Sequence, residues 1–168
     1  MIFVTIGSMF PFDRLIQAMD QWTAATGHGD VFAQTGNGAY VPQHMKHVRT
    51  LPQAEFTATM ARAELIVAHC GMGTVITAGQ AGRPMVLVPR QKALNEVTSH
   101  HQQATARWLG DRPGVFIAET EETLAATIET ALETKSGSET GFAPTADAAF
   151  VARLRAAILN TNTEETPQ

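Results

Sequence analysis

The segment His69-Cys-Gly-Met-Gly-Thr74 holds the residues of this chain that are best suited to chemistry. It follows an apolar run, Leu65 to Val67, and precedes a stretch with helical spacing. Two glycines allow a tight turn and a close approach of the main chain to a ligand. Thr74 is expected to cap the following helix, whose unpaired N–H groups and positive dipole end would attract a diphosphate. The alternative interpretation is an ordinary strand-to-helix turn beside a buried, hydrogen-bonded histidine.

Two further groups of polar residues also follow apolar strands. Gly7 and Ser8 close the first strand, so Ser8 and nearby N–H groups could contact a phosphate or a bound substrate. Arg90 follows a later strand, and the imidazole of His101 and the amide of Gln102 come next. Such mixed donors suit a ligand with both phosphates and hydroxyls. Because parallel strands end at one edge of a sheet, we expect one ligand-binding crevice, although ordinary turns and solvated helix starts use the same residue types.

Several common sites are missing from the sequence. Ile76 takes the place of the third glycine of a dinucleotide fingerprint, and the next strand ends at Pro89 instead of an acidic residue. The chain contains neither a Gly-x-x-x-x-Gly-Lys-Ser/Thr loop nor an Asp-x-Asp pair. His100 and His101 are adjacent, so on a helix they would point in different directions. We therefore expect no NAD, no metal and no other cofactor.

The composition favours a soluble cytoplasmic domain. A chain of 168 residues with 44% apolar content fits one compact domain. The net charge of −4 and the lack of a Lys/Arg cluster argue against a nucleic-acid partner. The apolar N-terminal run is too short for a signal peptide, and no run reaches membrane-spanning length. Cys70 is the only cysteine, which excludes an internal disulfide, and a small buried side chain is expected there.

Apolar runs alternate with helically spaced segments along the chain. This alternation predicts an α/β fold: a single Rossmann-like domain with a parallel sheet flanked by helices. Strands are predicted at residues 2–6, 31–34, around 48, 65–68, 85–88 and 115–117, and helices after Pro11 and at residues 52–62, 74–81, about 95–109 and 120–132.

The C-terminal part of the chain is predicted to lie outside this domain, which covers residues 1–134. Residues 135–145 are rich in Ser, Gly and Thr and are expected to form a flexible linker. Phe150, Leu154 and Ile158 recur at helical spacing, which predicts an amphipathic helix over residues 146–160. Its apolar face must dock either on its own sheet or on another chain. Residues 161–168 are polar and are expected to be disordered.

Taken together, these motifs resemble the C-terminal domain of the family 28 glycosyltransferases, the donor-binding half of MurG-type enzymes. The residues that carry the resemblance are His69-Cys-Gly-Met-Gly-Thr74, Ala81-Gly-Arg-Pro84, Val88-Pro-Arg90 and His101-Gln102. The opening runs Ile2-Phe-Val-Thr-Ile-Gly-Ser8 and Pro11-Phe-Asp-Arg-Leu-Ile16 are most similar to PssE-type exopolysaccharide glycosyltransferase subunits. The resemblance extends over roughly residues 1 to 133.

This resemblance implies one half of a GT-B fold that binds a UDP-sugar, while a membrane-associated, PssD-like chain binds a lipid-linked glycan acceptor. The pair would be an inverting glycosyltransferase that moves a hexose or hexuronic acid in exopolysaccharide or capsule synthesis at the inner face of the membrane. The isolated chain could form a homodimer through an exposed apolar patch. The alternative is a non-catalytic enhancer subunit that activates a catalytic partner.

The resemblance also assigns roles within the site. The residues implied to hold the UDP diphosphate are Gly71, Met72, Gly73 and Thr74, with His69 beside them. Arg90 would lie near the nucleotide, and His101 and Gln102 would contact the sugar hydroxyls. Thr77 stands where many relatives place a glutamate that holds the ribose, which implies a weaker, uncharged contact. The catalytic base is expected on the partner, and the candidates in this chain are His69 and Ser8.

Overall fold

A computed structural model describes residues 1–98, 101–134 and 146–161 of the protein. The strands are β1 (Ile2–Thr5), β2 (Val31–Gln34), β3 (Lys46–Val48), β4 (Leu65–His69), β5 (Met85–Val88) and β6 (Val115–Ile117). The α-helices are α1 (Asp13–Thr26), α2 (Gln53–Arg62), α3 (Met72–Gln80), α4 (His101–Leu109), α5 (Glu121–Glu133) and α6 (Ala148–Thr161). The segments predicted as a linker and as a disordered tail lie, apart from residue 161 at the end of α6, outside the described residues.

The six strands form one parallel sheet in the order β3-β2-β1-β4-β5-β6. The predicted Rossmann-like α/β fold is thereby confirmed. The chain crosses from β3 at one edge to β4 beside the central β1, so the strand order reverses between β1 and β4. Ligands of open parallel sheets bind at such a reversal, above the carboxyl ends of the strands.

Two apolar cores cover the two faces of the sheet. The first lies under α1 and α5 and includes Ile16, Met19 and Ile128. The second lies under α2, α3 and α4 and includes Met60 and Leu109. Every residue of β1, β4 and β5 is buried, because both faces of these central strands are covered. The sequences of these central strands are therefore almost continuously apolar. The predicted positions of the six strands agree with the structure to within one or two residues.

Two helix starts differ from the sequence prediction. Gly71, not Thr74, is the N-cap of α3, and it is extended (φ −91°, ψ 126°) without a side-chain cap. Thr74 therefore lies inside the first turn. The helix predicted from about residue 95 is not formed at residues 95–98, and its described part begins at His101. Residues 95–98 do not form the predicted helix because a short 3₁₀ turn at residues 92–94 ends at Asn95, which adopts a left-handed conformation (φ 57°).

The connection between β2 and β3 is a loop that carboxylates of α1 hold in place. Asp20 is 1% exposed and accepts hydrogen bonds from the Tyr40 hydroxyl (2.8 Å) and from the backbone N–H groups of Gln43 (3.0 Å) and His44 (2.7 Å). Asp13 accepts the N–H of Tyr40 at 3.2 Å. Burial acts to raise the pKa of Asp20, but these hydrogen bonds outweigh it, so its pKa lies below the ordinary value.

The last helix, α6, buries none of its described side chains. Residues 148–159 are all exposed, including the apolar Phe150, Leu154 and Ile158. Packing of this helix on its own sheet, one of the two predicted arrangements, is therefore not seen. None of the described helices has the length and apolar character needed to cross a membrane.

Replacing Asp20 should loosen the β2–β3 loop. We expect Asp20→Asn to lower the free energy of unfolding by about 2 to 4 kcal/mol at pH 7, because buried donors lose a charged acceptor. The lowered pKa fixes the pH dependence: the stabilisation is present above the pKa of an unfolded aspartate, about 3.9, and is lost as the pH falls through the folded-state pKa. Urea titrations of both proteins between pH 7 and pH 3 measure this. A difference that does not shrink in acid would contradict the role of the charge.

Candidate functional site

A crevice of about 330 Å³ opens where the strand order reverses. Its lining residues are Gly7, Ser8, Gln34, Leu51, Gln53, Phe56, Gly73, Thr74 and Thr77. The β1–α1 loop and the start of α3, two of the three groups that the sequence predicts, thus meet across one cavity. None of the lining residues is charged. A larger groove of about 730 Å³ between α4, β6 and α5 contains none of the predicted site residues.

The N-terminus of α3 presents main-chain donors to this crevice. No side chain caps the helix, and its first turn contains no acidic residue. Val75 makes the first helical hydrogen bond, from its N–H to the carbonyl of Gly71 at 3.0 Å. The N–H groups of Met72, Gly73 and Thr74 precede that bond, so they are the orphan donors at the positive end of the helix dipole. A Cβ on Gly73 would meet no atom within 4 Å, so the backbone is open to a ligand there.

Thr77 lies one turn along the same helix and faces the same crevice. Its hydroxyl donates a hydrogen bond to the carbonyl of Gly73 at 2.8 Å. The proton of the hydroxyl is thereby used, and the oxygen keeps its capacity to accept. Thr77 can therefore offer a ligand an uncharged acceptor beside the helix N-terminus.

The side chain of His69 lies between two glycine-containing loops, one at Gly7 and the other at Gly71. Its side chain is 8% exposed, and a Cβ on Gly7 would lie 2.6 Å from the Cε1 atom of the imidazole. A Cβ on Gly71 would overlap the Nε2 atom of the same ring. Gly7 also has a left-handed φ of +74°. Both positions require glycine because the imidazole fills the space that a side chain would occupy.

The imidazole of His69 is neutral at physiological pH. Burial and, as a smaller effect, the charge of Arg90 together lower its pKa from 6.5 to about 4, and a hydrogen bond to the backbone of Thr5 offsets this only in part. The Nδ1 atom is buried and makes no hydrogen bond to any residue that the structure describes. A neutral imidazole can exchange hydrogen bonds with a phosphate but supplies no positive charge, and a pKa near 4 makes it a weak base.

Arg90 points its guanidinium away from solvent and into the β1–α1 loop. The residue is 3% exposed, and its Nη2 atom donates to the carbonyls of Ile6 (2.7 Å) and Phe10 (2.6 Å). The guanidinium also lies over the ring of Phe12, 5.2 Å from its centroid. Arg90 is not among the residues that line the crevice, so the direct nucleotide contact implied by the resemblance stays a prediction.

The predicted sugar-binding residues lie at the start of α4. His101 is its first residue and is exposed. The Oε1 atom of Gln102 accepts the backbone N–H of Arg90 at 3.1 Å. Neither residue lines the crevice, and the neighbouring His100 lies outside the described residues. Their contact with sugar hydroxyls therefore also stays a prediction.

Four residues of the crevice were missed by the sequence analysis. They are Gln34 at the end of β2, Leu51 in the β3–α2 turn, and Gln53 and Phe56 in α2. The signal that could have found them is topological: β2 and β3 also end at the carboxyl edge of the sheet, where the polar Gln34 closes an apolar strand. Phe56 packs edge-on against Phe3 at 5.8 Å, which fixes its ring beside the cavity.

Cys70 and the potential metal-ligating side chains are further groups of this chain that could carry chemistry. Cys70 is buried, and burial together with the charge of Glu119 raises the pKa of its thiol to about 12. The thiol is therefore protonated and packs as a small apolar side chain, as the sequence analysis predicts. Among the described residues, no three His, Cys, Asp or Glu side chains converge as a metal site would require.

Comparison of the sequence with known protein families identifies one match. The sequence matches the glycosyltransferase family 28 C-terminal domain over residues 1–157. The UDP-N-acetylglucosamine transferase subunit ALG13 of Yarrowia lipolytica is 27% identical over 107 residues, which cover 56% of this chain and 55% of that protein. The Homo sapiens protein of the same name is 27% identical over 125 residues, 68% of this chain and 11% of the relative. The chain thus covers less than two thirds of either relative.

Solved structures show the same fold. An NMR structure of ALG13 superposes with a TM-score of 0.57 at 16% identity, covering 91% of this chain and 93% of that one. The kitacinnamycin glycotransferase gives 0.56 at 18% identity, with 92% of this chain and 37% of that one. MurG of Acinetobacter baumannii gives 0.51 at 20% identity, with 82% and 45%. At these identities the likeness establishes the fold, and it matches this chain to under half of the two larger enzymes.

The buried imidazole of His69 should make stability depend on pH. Its folded-state pKa is lowered, so the unfolded chain binds the proton more readily, and stability falls as the pH drops from about 6.5 towards 4. We expect the wild type to lose about 3 kcal/mol relative to His69→Gln between pH 7 and pH 4, because glutamine cannot take up the proton. Denaturant unfolding across that range measures the difference. A pH-independent difference would show that His69 titrates normally.

Proposed function

The chain belongs to the glycosyltransferase family 28 C-terminal domain, and from this premise we propose that it is the donor-binding subunit of a two-chain glycosyltransferase. The crevice between the β1–α1 loop and α3 would bind a UDP-sugar. The observation that carries the proposal is the uncapped N-terminus of α3, which opens its N–H groups into that crevice.

Charge and shape of the crevice favour a nucleoside diphosphate. Orphan N–H groups and the helix dipole attract phosphate oxygens, and no lining carboxylate repels them. Away from the helix, the lining changes to the aromatic Phe56, the apolar Leu51 and the amides of Gln34 and Gln53. Flat apolar surface with a few amide groups suits a nucleobase, which needs stacking and directional hydrogen bonds. The diphosphate would therefore lie at Gly73, with the base towards Phe56.

The chemistry proposed for this chain is stabilisation of the leaving group. In an inverting transfer, a base deprotonates the acceptor hydroxyl while UDP departs, and fixed N–H donors stabilise the charge that develops on the diphosphate. This role requires no metal ion. With a pKa near 4, His69 is poorly matched to a general base, and the proposed base belongs to the acceptor-binding partner. Ser8 lines the crevice and stays a candidate contributor.

The partner is proposed to be a membrane-associated, PssD-like chain that presents a lipid-linked glycan and recruits this subunit to the inner face of the membrane. Support comes from the relatives, which are named as transferase subunits, and from the match to less than half of the larger glycosyltransferases. The sugar is proposed to be a hexose or hexuronic acid destined for exopolysaccharide. The homodimer of the isolated chain stays a prediction.

A non-catalytic enhancer remains the second candidate, because Thr77 offers the ribose only an uncharged oxygen already bonded within the helix. Calorimetric titration with UDP separates the two functions. An enhancer that has lost donor binding gives no heat of binding, whereas a donor subunit binds UDP. Comparing UDP-glucose, UDP-galactose, UDP-glucuronate and UDP-N-acetylglucosamine, with and without the partner, then identifies the sugar.

Blocking the open backbone at Gly73 should abolish donor binding. We expect Gly73→Trp to fold normally, since no atom opposes a side chain there, and to weaken UDP binding at least about 100-fold by filling the crevice. Gly29→Trp is the matched control, because Gly29 is equally unobstructed and lies before β2, at the opposite edge of the sheet. Calorimetry measures both affinities. Unchanged UDP affinity in the Gly73 variant would place the site elsewhere.

The exposed apolar face of α6 is proposed to contact the partner chain. Its leucine and isoleucine residues recur on one side, and the structure buries none of its described side chains. Proteins in water rarely expose a contiguous apolar surface of this kind unless it binds a partner.

Replacing apolar side chains on this face of α6 should prevent assembly with the partner chain while leaving the folding of the isolated chain intact. We expect Leu154→Gln combined with Ile158→Gln to change the free energy of unfolding of the isolated chain by less than about 0.5 kcal/mol, because both side chains are exposed. Co-purification with a co-expressed PssD-like chain should be lost, and deletion of residues 136–168 should have the same effect. Arg153→Gln combined with Arg155→Gln is the control on the same helix. A complex that survives the deletion would exclude α6 from the interface.

A further inference from the structure

Arg90 is a buried cation, and none of the described residues in its immediate contacts carries the opposite charge. Within the described part of the chain, its side-chain hydrogen bonds go to backbone carbonyls, and its Nε atom is buried and unpaired. Glu96 lies near enough to favour the charged form, yet Arg14 already binds that carboxylate at 2.8 and 2.9 Å. Burying a charge in this way costs free energy. This cost indicates that the hydrogen bonds of Arg90 hold a part of the site in place.

The two carbonyls that Arg90 binds bracket the first loop of the site. Ile6 and Phe10 stand on either side of Gly7, Ser8 and Met9, so the single Nη2 atom joins both ends of a five-residue segment. Within the described residues the loop makes few other hydrogen bonds, and the N–H of Gly7 reaches the Thr5 hydroxyl only at 3.3 Å.

Arg90 also connects the loop to two other elements of the site. It directly follows Pro89 at the end of β5, and its backbone N–H is bound by the side chain of Gln102 on α4. The ring of Phe12, at the start of α1, supports the guanidinium from one face. One residue therefore ties the β1–α1 loop to the neighbouring carboxyl-edge segments of the sheet.

We propose that Arg90 is a positioning residue, which fixes Gly7 and Ser8 as a rigid wall of the crevice without touching the bound donor. This inference rests on the proposed function, since it takes the crevice to be the UDP site. The alternative, a direct contact with the diphosphate, conflicts with the geometry: Arg90 is 3% exposed, lies outside the lining, and has its Nη2 atom engaged by two carbonyls. A wall held ready before binding spares the ligand the cost of ordering the loop.

The test compares Arg90→Met, which keeps the length of the side chain but removes its donors, with Arg90→Lys and with a matched control. Arg83→Met is that control, because Arg83 stands before β5, at the other end of the same strand, and likewise donates to a backbone carbonyl and buries an unpaired Nε. Backbone ¹⁵N order parameters of residues 7–10 are measured without ligand, and calorimetry then gives the UDP affinity.

We expect Arg90→Met to lower the order parameters of the loop and to weaken UDP binding by about 10-fold. Arg90→Lys should recover part of both effects, since an ammonium can reach a carbonyl but lacks the fork. Arg83→Met should change neither. The Lys variant keeps the test decisive if Arg90→Met does not fold.

The outcomes distinguish this inference from the function on which it rests. Wild-type protein that binds no UDP would overturn the proposed function, while a loss of loop order in the Arg90 variants would still support the positioning role. Wild-type protein that binds UDP, together with an Arg90→Met loop as ordered as the wild type, would overturn the positioning role. Weaker UDP binding with an ordered loop would instead indicate a direct contact with the phosphates.

Discussion

The site depends on a helix that begins with no side chain over its first turn. Three N–H groups at the start of α3 lack helical acceptors, and a capping side chain or a first-turn carboxylate would satisfy them. The sequence supplies glycine at the cap position and again at Gly73, so no side chain of the described residues satisfies these donors and the backbone is open at Gly73. A helix end of this kind is stable only when water or a ligand completes its hydrogen bonds. The other features of the carboxyl edge keep this end open.

Two buried polar residues maintain that opening, and burying each of them costs free energy. His69 separates the loops of Gly7 and Gly71, and its burial forces the imidazole to remain neutral. Arg90 joins the two ends of the β1–α1 loop through its hydrogen bonds to the carbonyls of Ile6 and Phe10. Its positive charge also contributes to the lowered pKa of the His69 imidazole. Both residues keep one buried nitrogen unpaired among the described residues. Such costs concentrate where geometry serves binding, because elsewhere an apolar side chain would be more stable.

The sequence predicted the fold well and the site in part, for identifiable physical reasons. Parallel strands covered on both faces leave continuous apolar runs, so β1, β4 and β5 could be located directly. The start of α3 was misplaced because a glycine cap leaves no polar signal, whereas Thr74 resembles a cap. Phe56 and Leu51 were missed because they reach the crevice only through the strand order, which local patterns do not encode. The burial of the Arg90 side chain could not be predicted either, since an arginine after a strand is equally typical of a ligand contact.

The most direct test of the helix-terminus site is a titration of ¹⁵N-labelled protein with UDP, followed amide by amide. The account predicts that the amides of Gly73 and Thr74 shift most and saturate together, and that uridine without phosphates shifts them far less at equal concentration. Saturable shifts confined to the groove between α4, β6 and α5, or the same response of these amides to uridine and to UDP, would contradict a diphosphate at the start of α3.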